Sequence, residues 1–251
     1  MGIAREIAQN LLMGIAPLAR AAQRLHSTGL NGDLREARRV YDFYRSFASV
    51  EGRDILEIGP GHTLEVLHLA KTAGARSCTA LDVVAYCSME EASRSGLDYV
   101  LYEGREIPLP SARYDLIWSH NAFEHLRYPA LVLRECARVL RPGGLLIAQI
   151  DLADHGVYPS GDRSRLFDCL RYPDWLWNLM KWNRSSYVNR LRSSDWRAIL
   201  SEAGFAIREW RGVESPDIEQ VLSELSYLHR YSREDALTAV LIVCAEKPIT
   251  P

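Results

Sequence analysis

The residues best suited to chemistry begin with Glu57-Ile58-Gly59-Pro60-Gly61-His62-Thr63, an acid and two glycines between an apolar run and a helical stretch. Glycine lets backbone approach a ligand closely, and the free N–H groups of a helix start attract polar groups. A dinucleotide site of the G-x-G-x-x-G kind needs a third glycine where this chain has Leu64, which disfavours NAD(P) and FAD. Glu57, placed just before the glycines, instead suits a cationic ligand. His120, His125 and His155 follow strand-like runs, and histidine is the side chain most often used to take a proton from a hydroxyl. Asp151 and Asp154 are near enough in sequence to orient the His155 ring. His62 reads as a contact of the glycine turn, and His26, His68 and His229 as ordinary residues.

The elements that must position these groups alternate. Strands are expected at 54–58, 78–81, 98–102, 114–118 and 145–150, with helices at 62–73, 89–95 and 129–140 and a turn at Pro142-Gly143-Gly144. Such alternation implies βαβ units and a parallel sheet covered on both faces. Two helices precede it, one to about Leu25 and one from Asp33, a good N-cap, to about Val50, separated by a turn at 27–32. After the fifth strand the rhythm stops over 152–195, a segment rich in Trp, Tyr and Arg. Open α/β sheets bind ligands beyond the carboxyl ends of their strands, so this segment reads as a cap over the site. Tyr158, Trp175 and Arg190 are its expected acceptor contacts, with Arg190 and Arg192 suited to an anionic group. A helix from about Ser194, a strand at 205–210, a helix from about Asp217 and a final strand at 239–246 complete the chain. The reading is an N-terminal helical extension over 1–50 and one α/β domain over 51–251.

Composition sets the outer limits. Of 251 residues, 47% are hydrophobic and 25% charged, which is enough to bury a large core and rules out a disordered chain. Thirty basic residues against 32 acidic give a net charge of -2, too little field for a polynucleotide partner. Five scattered cysteines show no zinc-type spacing, so no metal is expected. The apolar run Leu11–Ala19 fails as a signal peptide, since Glu6 offsets Arg5 and Pro17 interrupts it. Ile3, Ile7, Leu11, Ile15 and Leu18 instead form a helical stripe, expected to meet a membrane surface or a second copy of the chain. No run reaches the roughly 20 apolar residues of a transmembrane helix, and a cytoplasmic protein is expected.

Together these pieces resemble the class I methyltransferases that use S-adenosylmethionine, within the broad type 11-like group whose core reads E-x-G-x-G, then D, then a late P-G-G. The match runs in order from about Ile55 to Asp151: Glu57 to Gly61; Asp82 in Ala80-Leu81-Asp82-Val83; Glu103 in Glu103-Gly104-Arg105-Glu106-Ile107-Pro108; Tyr114 to Leu126; and Arg138 to Gly144. The ordered set is specific where no single piece is. The resemblance implies a seven-stranded doubly wound sheet with one antiparallel strand near its end. It also implies S-adenosylmethionine as cofactor: Gly59, Pro60 and Gly61 facing the methionine part, Glu57 organising its ammonium, and Asp82 accepting from the ribose hydroxyls. Val83 would pack on adenine, Glu103 and Gly104 would meet its amino edge, and Ser119, His120 and Asn121 would line the site. The group more often has Asp where this chain has Glu103.

Methyl transfer to a hydroxyl benefits from a base, for which His155, oriented by Asp151, is the first candidate and His125 and His120 the others. The expected activity is methylation of a small molecule or glycan, with oxygen favoured over nitrogen or carbon. The rival readings are a methyltransferase-like binding subunit without turnover and an NAD(P)-dependent oxidoreductase.

Overall fold

The computed structural model describes residues 2–15, 18, 33–155, 166–219 and 222–249. Seven strands form one sheet in the order β3-β2-β1-β4-β5-β7-β6. They are β1 Asp54–Ile58, β2 Ser77–Asp82, β3 Asp98–Leu101, β4 Tyr114–His120, β5 Leu140–Asp151, β6 Ala206–Glu214 and β7 Thr238–Glu246. β7 runs antiparallel to both neighbours, and the pairs from β3 to β5 are parallel, as the resemblance implies. Consecutive residues of a strand face opposite sides, so Leu56 and Ile117 enter one core layer while Ile55, Leu116 and Trp118 enter the other. Both layers being apolar explains why these strands read as nearly continuous hydrophobic runs.

The helices are α1 Ile3–Met13, α2 Leu34–Arg45, α3 Glu65–Thr72, α4 Met89–Arg94, α5 Pro129–Val139, α6 Asp174–Lys181, α7 Ser193–Glu202, the single turn α8 Pro216–Glu219, and α9 Arg233–Leu237. Asp33 caps α2 as expected, accepting from the Arg35 N–H at 2.9 Å. α2 belongs to the core: Tyr44 stacks on Trp118 with ring centroids 4.5 Å apart, and Tyr41 meets the same indole edge-on. Aromatic pairs of this kind contribute about 0.5–1.5 kcal/mol beyond the area they bury.

Two boundaries differ from expectation for physical reasons. β5 begins at Leu140 rather than 145, because the Pro-Gly-Gly segment stays paired through a bulge instead of turning away. Gly144 permits this, since a Cβ there would lie 2.9 Å from the Arg141 carbonyl oxygen. The cap has its own apolar cluster, including Phe167, Leu170, Trp177 and Met180, but it shares that cluster with Ile218, Leu225, Leu228 and Leu237. The 215–237 stretch therefore supports the cap as well. The expected continuation of the first helix to Leu25 and the turn at 27–32 lie outside the described residues. No helix among the described residues is long and apolar enough to cross a membrane.

Candidate active site

The glycine turn lies between β1 and α3, at the carboxyl edge of the sheet. Gly59 and Gly61 have φ of 74° and 72°, a left-handed conformation open to glycine at little cost. Gly59 has a second reason to lack a side chain: a Cβ there would come within 2.4 Å of the Ala122 Cβ. The N–H of Gly59 donates to the Leu81 carbonyl at 2.9 Å, which ties the turn to the end of β2. There Asp82, only 5% exposed, accepts from the N–H groups of Val83 (2.7 Å), Val84 (3.3 Å) and Gly61 (3.3 Å). Burial pushes its carboxyl up to about 6, against the pull of those three donors.

A cavity of about 440 Å³ opens along this edge. Gly59, Gly61, Asp82, Val83, Glu103, Gly104 and Asn121 all line it, so the structure brings together residues that sequence reading took from four separate segments. Val83 is half exposed toward it, and Gly104, with φ of 74°, lets the following loop pass close to Val83. Asn121 also has a positive φ, 51°, and its N–H donates to the Gln149 carbonyl at 2.9 Å.

Glu57 and Pro60 are buried just behind this wall. Burial, aided by the charge of Asp82, pushes the Glu57 carboxyl up to about 8. One of its oxygens, Oε2, has no partner in the protein, and neither have the nearby Tyr44 hydroxyl and Trp118 Nε1. A buried carboxylate oxygen without a partner calls for a cation or a proton. The pocket therefore fits a ligand that carries an ammonium at this end and hydroxyls near Asp82.

The histidines separate by location. His125 is on the cavity wall. Its Nδ1 lies 2.6 Å from the Tyr187 carbonyl oxygen, which can only accept, so Nδ1 carries the hydrogen and Nε2 the lone pair. Burial, then the nearby His155 charge, pushes its pKa down to about 4. His155 lies behind it, with ring centroids 4.8 Å apart, its Nε2 3.2 Å from Asp151 and 3.6 Å from the buried Glu124. Burial disfavours the His155 imidazolium, but the Asp151 hydrogen bond and the charges of Glu124, Asp151 and Asp154 outweigh it and hold the pKa above the usual value. Glu124, His125 and His155 bring ligand-type atoms together within 4.8 Å, a grouping that their sequence spacing does not reveal. A zinc shell with bonds of about 2.0–2.1 Å has edges of about 3.3–3.5 Å, and the group reads more simply as an ion-paired layer under His125.

Two expected cavity residues are elsewhere. Ser119 is fully buried and donates to the Ile58 carbonyl at 3.2 Å, fastening β4 to β1. His120 shares a strand face with Trp118 and so points toward α2, where its ring meets Phe43 edge-on. Burial and the charge of Arg39 push its pKa down to about 4.

The cap contradicts more of the sequence reading. Arg190 is 4% exposed and held within the cap: it donates to the carbonyls of Cys169 (3.0 Å) and Tyr172 (2.6 Å), pairs with Asp174 and lies over the Tyr227 ring. Arg192 is fully buried and donates to the carbonyls of Leu152, Asp235, Ala236 and Thr238. Both guanidinium groups are held mainly by main-chain carbonyls, and neither residue lines the cavity, so neither is placed to meet an acceptor there. Trp175 is 68% exposed on the outer side of α6, away from the cavity. Tyr158 lies outside the described residues. The residues that do complete the wall are Met13 and Gly14 after α1, Leu126, Arg127 and Tyr128, and Trp182, Asn183 and Ser185 of the cap. Aromatic enrichment of the cap pointed to its importance, but no local pattern singled out Trp182, and nothing in the sequence placed Met13 beside a turn more than forty residues away.

Comparison with known proteins agrees with this geometry. Residues 56–148 match the model of the methyltransferase domain family. The chain is 32% identical over 114 residues to a fatty-acid O-methyltransferase of Mycolicibacterium smegmatis, covering 43% of this chain and 40% of that protein. It is 26% identical over 182 residues to a ubiquinone biosynthesis O-methyltransferase of Bordetella avium, covering 70% and 71%. The chain thus spans about two fifths of the length of the first relative. The fold also matches the crystal structure of the [4+2]-cyclase SpnF, with a TM-score of 0.55 and 20% identity over 90% of this chain and 86% of that one. The glycine turn and Asp82, which line the cavity, both fall within the stretch that is similar to the methyltransferase domain family.

Proposed function

We propose that the chain methylates an oxygen of a small-molecule or glycan acceptor, using S-adenosylmethionine. The observation that carries this reading is the unpartnered Glu57 carboxylate oxygen, buried behind the cavity wall that Gly59, Gly61 and Asp82 line. Glu57 would hold the ammonium of the cofactor, the glycine turn would admit its methionine chain, and Asp82 would accept from both ribose hydroxyls. Val83 would pack on the adenine, with Glu103 at its amino edge. Once bound, S-adenosylmethionine supplies a sulfonium-activated methyl group. The protein must then place an acceptor oxygen in line and take its proton. His125 is the histidine on the wall, with its Nε2 lone pair available, and we assign it the role of base. His155, Asp151 and Glu124 are positioning residues behind it. Tyr128 and Trp182 offer flat apolar surfaces to an acceptor, with the Asn183 amide and Ser185 hydroxyl beside them. The names of the relatives, both O-methyltransferases, support oxygen as the methylated atom.

Binding of S-adenosylhomocysteine tests this directly. Asp82→Ala is expected to weaken it about 10- to 100-fold, the loss of charge-assisted hydrogen bonds. Unchanged affinity by calorimetry, in a variant that still melts cooperatively, would refute the assignment.

A pH dependence follows from Glu57. Its carboxyl, raised to about 8, is largely protonated in the free protein at pH 7, whereas pairing with an ammonium requires the anion. Affinity should therefore rise between pH 6 and 8, by up to about tenfold per unit, with proton release on binding. Calorimetry in buffers of different ionisation enthalpy measures that release. Affinity that falls over this range would assign Glu57 another role.

A further inference from the structure

α1 is built the wrong way round for a helix that serves only the fold. Its buried residues are polar: Glu6 and Asn10, 5% and 4% exposed. Glu6 meets Lys181 at 2.6 Å and also Arg184, while Asn10 donates to the Leu179 carbonyl at 2.9 Å and accepts from the Asn183 N–H at 2.7 Å. The apolar residues Ile3, Leu11 and Leu12 face solvent, as do Ile15 and Leu18 beyond the helix end. An amphipathic surface helix ordinarily buries its apolar stripe. Against α1 lies α6, which exposes Trp175 and Leu179, four residues apart and hence on one helix face. Two adjoining helices therefore present leucine, isoleucine and tryptophan outward, a composition suited to the boundary between lipid headgroups and acyl chains.

Charge identifies the occupant. Glu6 is buried between two cations, which leaves Arg5 as the exposed charge of α1. The one acid on the α6 side, Asp174, is paired with Arg190. In sequence, residues 7–32 contain Arg20 and Arg24 and no Asp or Glu. A symmetric self-contact would bring Arg5 toward its own copy with no exposed acid of α1 to meet it, whereas an anionic bilayer complements it. We propose that the outer face of α1 and α6 docks on an anionic lipid surface. Met13 and Gly14, where α1 ends, belong to the cavity wall, so docking would set the cavity beside the lipid and favour acceptors held in or on a membrane. That last step rests on the methyl-transfer reading; the docking itself does not.

The test is co-sedimentation of the full chain with vesicles of pure phosphatidylcholine and vesicles containing phosphatidylglycerol, alongside S-adenosylhomocysteine titrations. Binding at least about tenfold stronger to the anionic vesicles, weakening as salt rises, is expected. Leu11→Gln combined with Ile15→Gln, or Trp175→Ala alone, should reduce it about tenfold or more and leave S-adenosylhomocysteine affinity unchanged. Protein that stays in the supernatant with anionic vesicles, or variants that pellet like the parent, would overturn the proposal. So would a concentration-dependent doubling of mass in light scattering that the same substitutions abolish, since it would assign the face to a second copy. Failure of S-adenosylhomocysteine binding alone would count against the methyl-transfer reading and leave the docking result standing.

Discussion

A His125→Ala variant is expected to lose about 10²–10⁴-fold in turnover on a hydroxyl acceptor while keeping its affinity for S-adenosylhomocysteine. The expectation rests on tautomer and location together. The Tyr187 carbonyl fixes the hydrogen on Nδ1, so Nε2 is free to accept, and the ring is on the cavity wall. A base must be unprotonated to act. With its pKa pushed down to about 4, His125 remains so through the neutral range, and the rate should be flat above about pH 5 and fall only below it. A profile with its acidic limb above the ordinary imidazole range would point instead to His155, whose pKa is raised. A His155→Gln variant separates the two, since a positioning residue should alter the profile and the KM without abolishing turnover. Undiminished turnover in His125→Ala, measured with radiolabelled S-adenosylmethionine over a panel of hydroxylated acceptors, would remove this residue from the chemistry.

Arg192→Met is expected to destabilise the fold by about 3–5 kcal/mol. The apolar stem survives the change, but four buried carbonyls, those of Leu152, Asp235, Ala236 and Thr238, lose their donor. Each unsatisfied buried acceptor costs about 1–3 kcal/mol, and the relief of an expensive buried cation offsets part of the total. For a chain of this size the melting temperature should drop by about 10 °C. A shift of only a degree or two by calorimetry would show that water reaches those carbonyls without disturbing the packing. Had Arg192 been a ligand-binding residue, the same substitution would spare stability and reduce affinity.

These two residues show where sequence could and could not be read. The glycine turn and Asp82 were legible because their roles depend on backbone geometry at fixed offsets from a strand end. Position in the chain nearly determines position in space there. Ser119 and His120 were misplaced because a motif gives the end of a strand but not the face each residue takes. Strand alternation with Trp118 against α2 turns His120 away, and Asn121 reaches the cavity only past the strand end, with its positive φ. The cap arginines were misread for a different reason. An arginine-rich segment looks the same whether its donors meet a ligand or main-chain carbonyls, and only burial separates the two. Met13, Trp182 and Asn183 were missed because they reach the site through tertiary packing, which no periodicity encodes. The apolar stripe of α1 was visible, but the polar face by which it docks was not: a single acid and a single amide suffice because Lys181, Arg184 and Asn183 come to meet them.

The position of Arg192 bears on how the cavity wall is held. It grips the carbonyl of Leu152, where the cap begins, and that of Thr238, where β7 begins. The cap is thereby tied at its root to the strand beside the one it leaves. α1 is fixed to that same cap, through Glu6 with Lys181 and Arg184, Asn10 with Leu179 and Asn183, and Ile7 against its apolar cluster. The stretch of cavity wall formed by Met13 and Gly14 is therefore held against the sheet by way of the cap that Arg192 anchors.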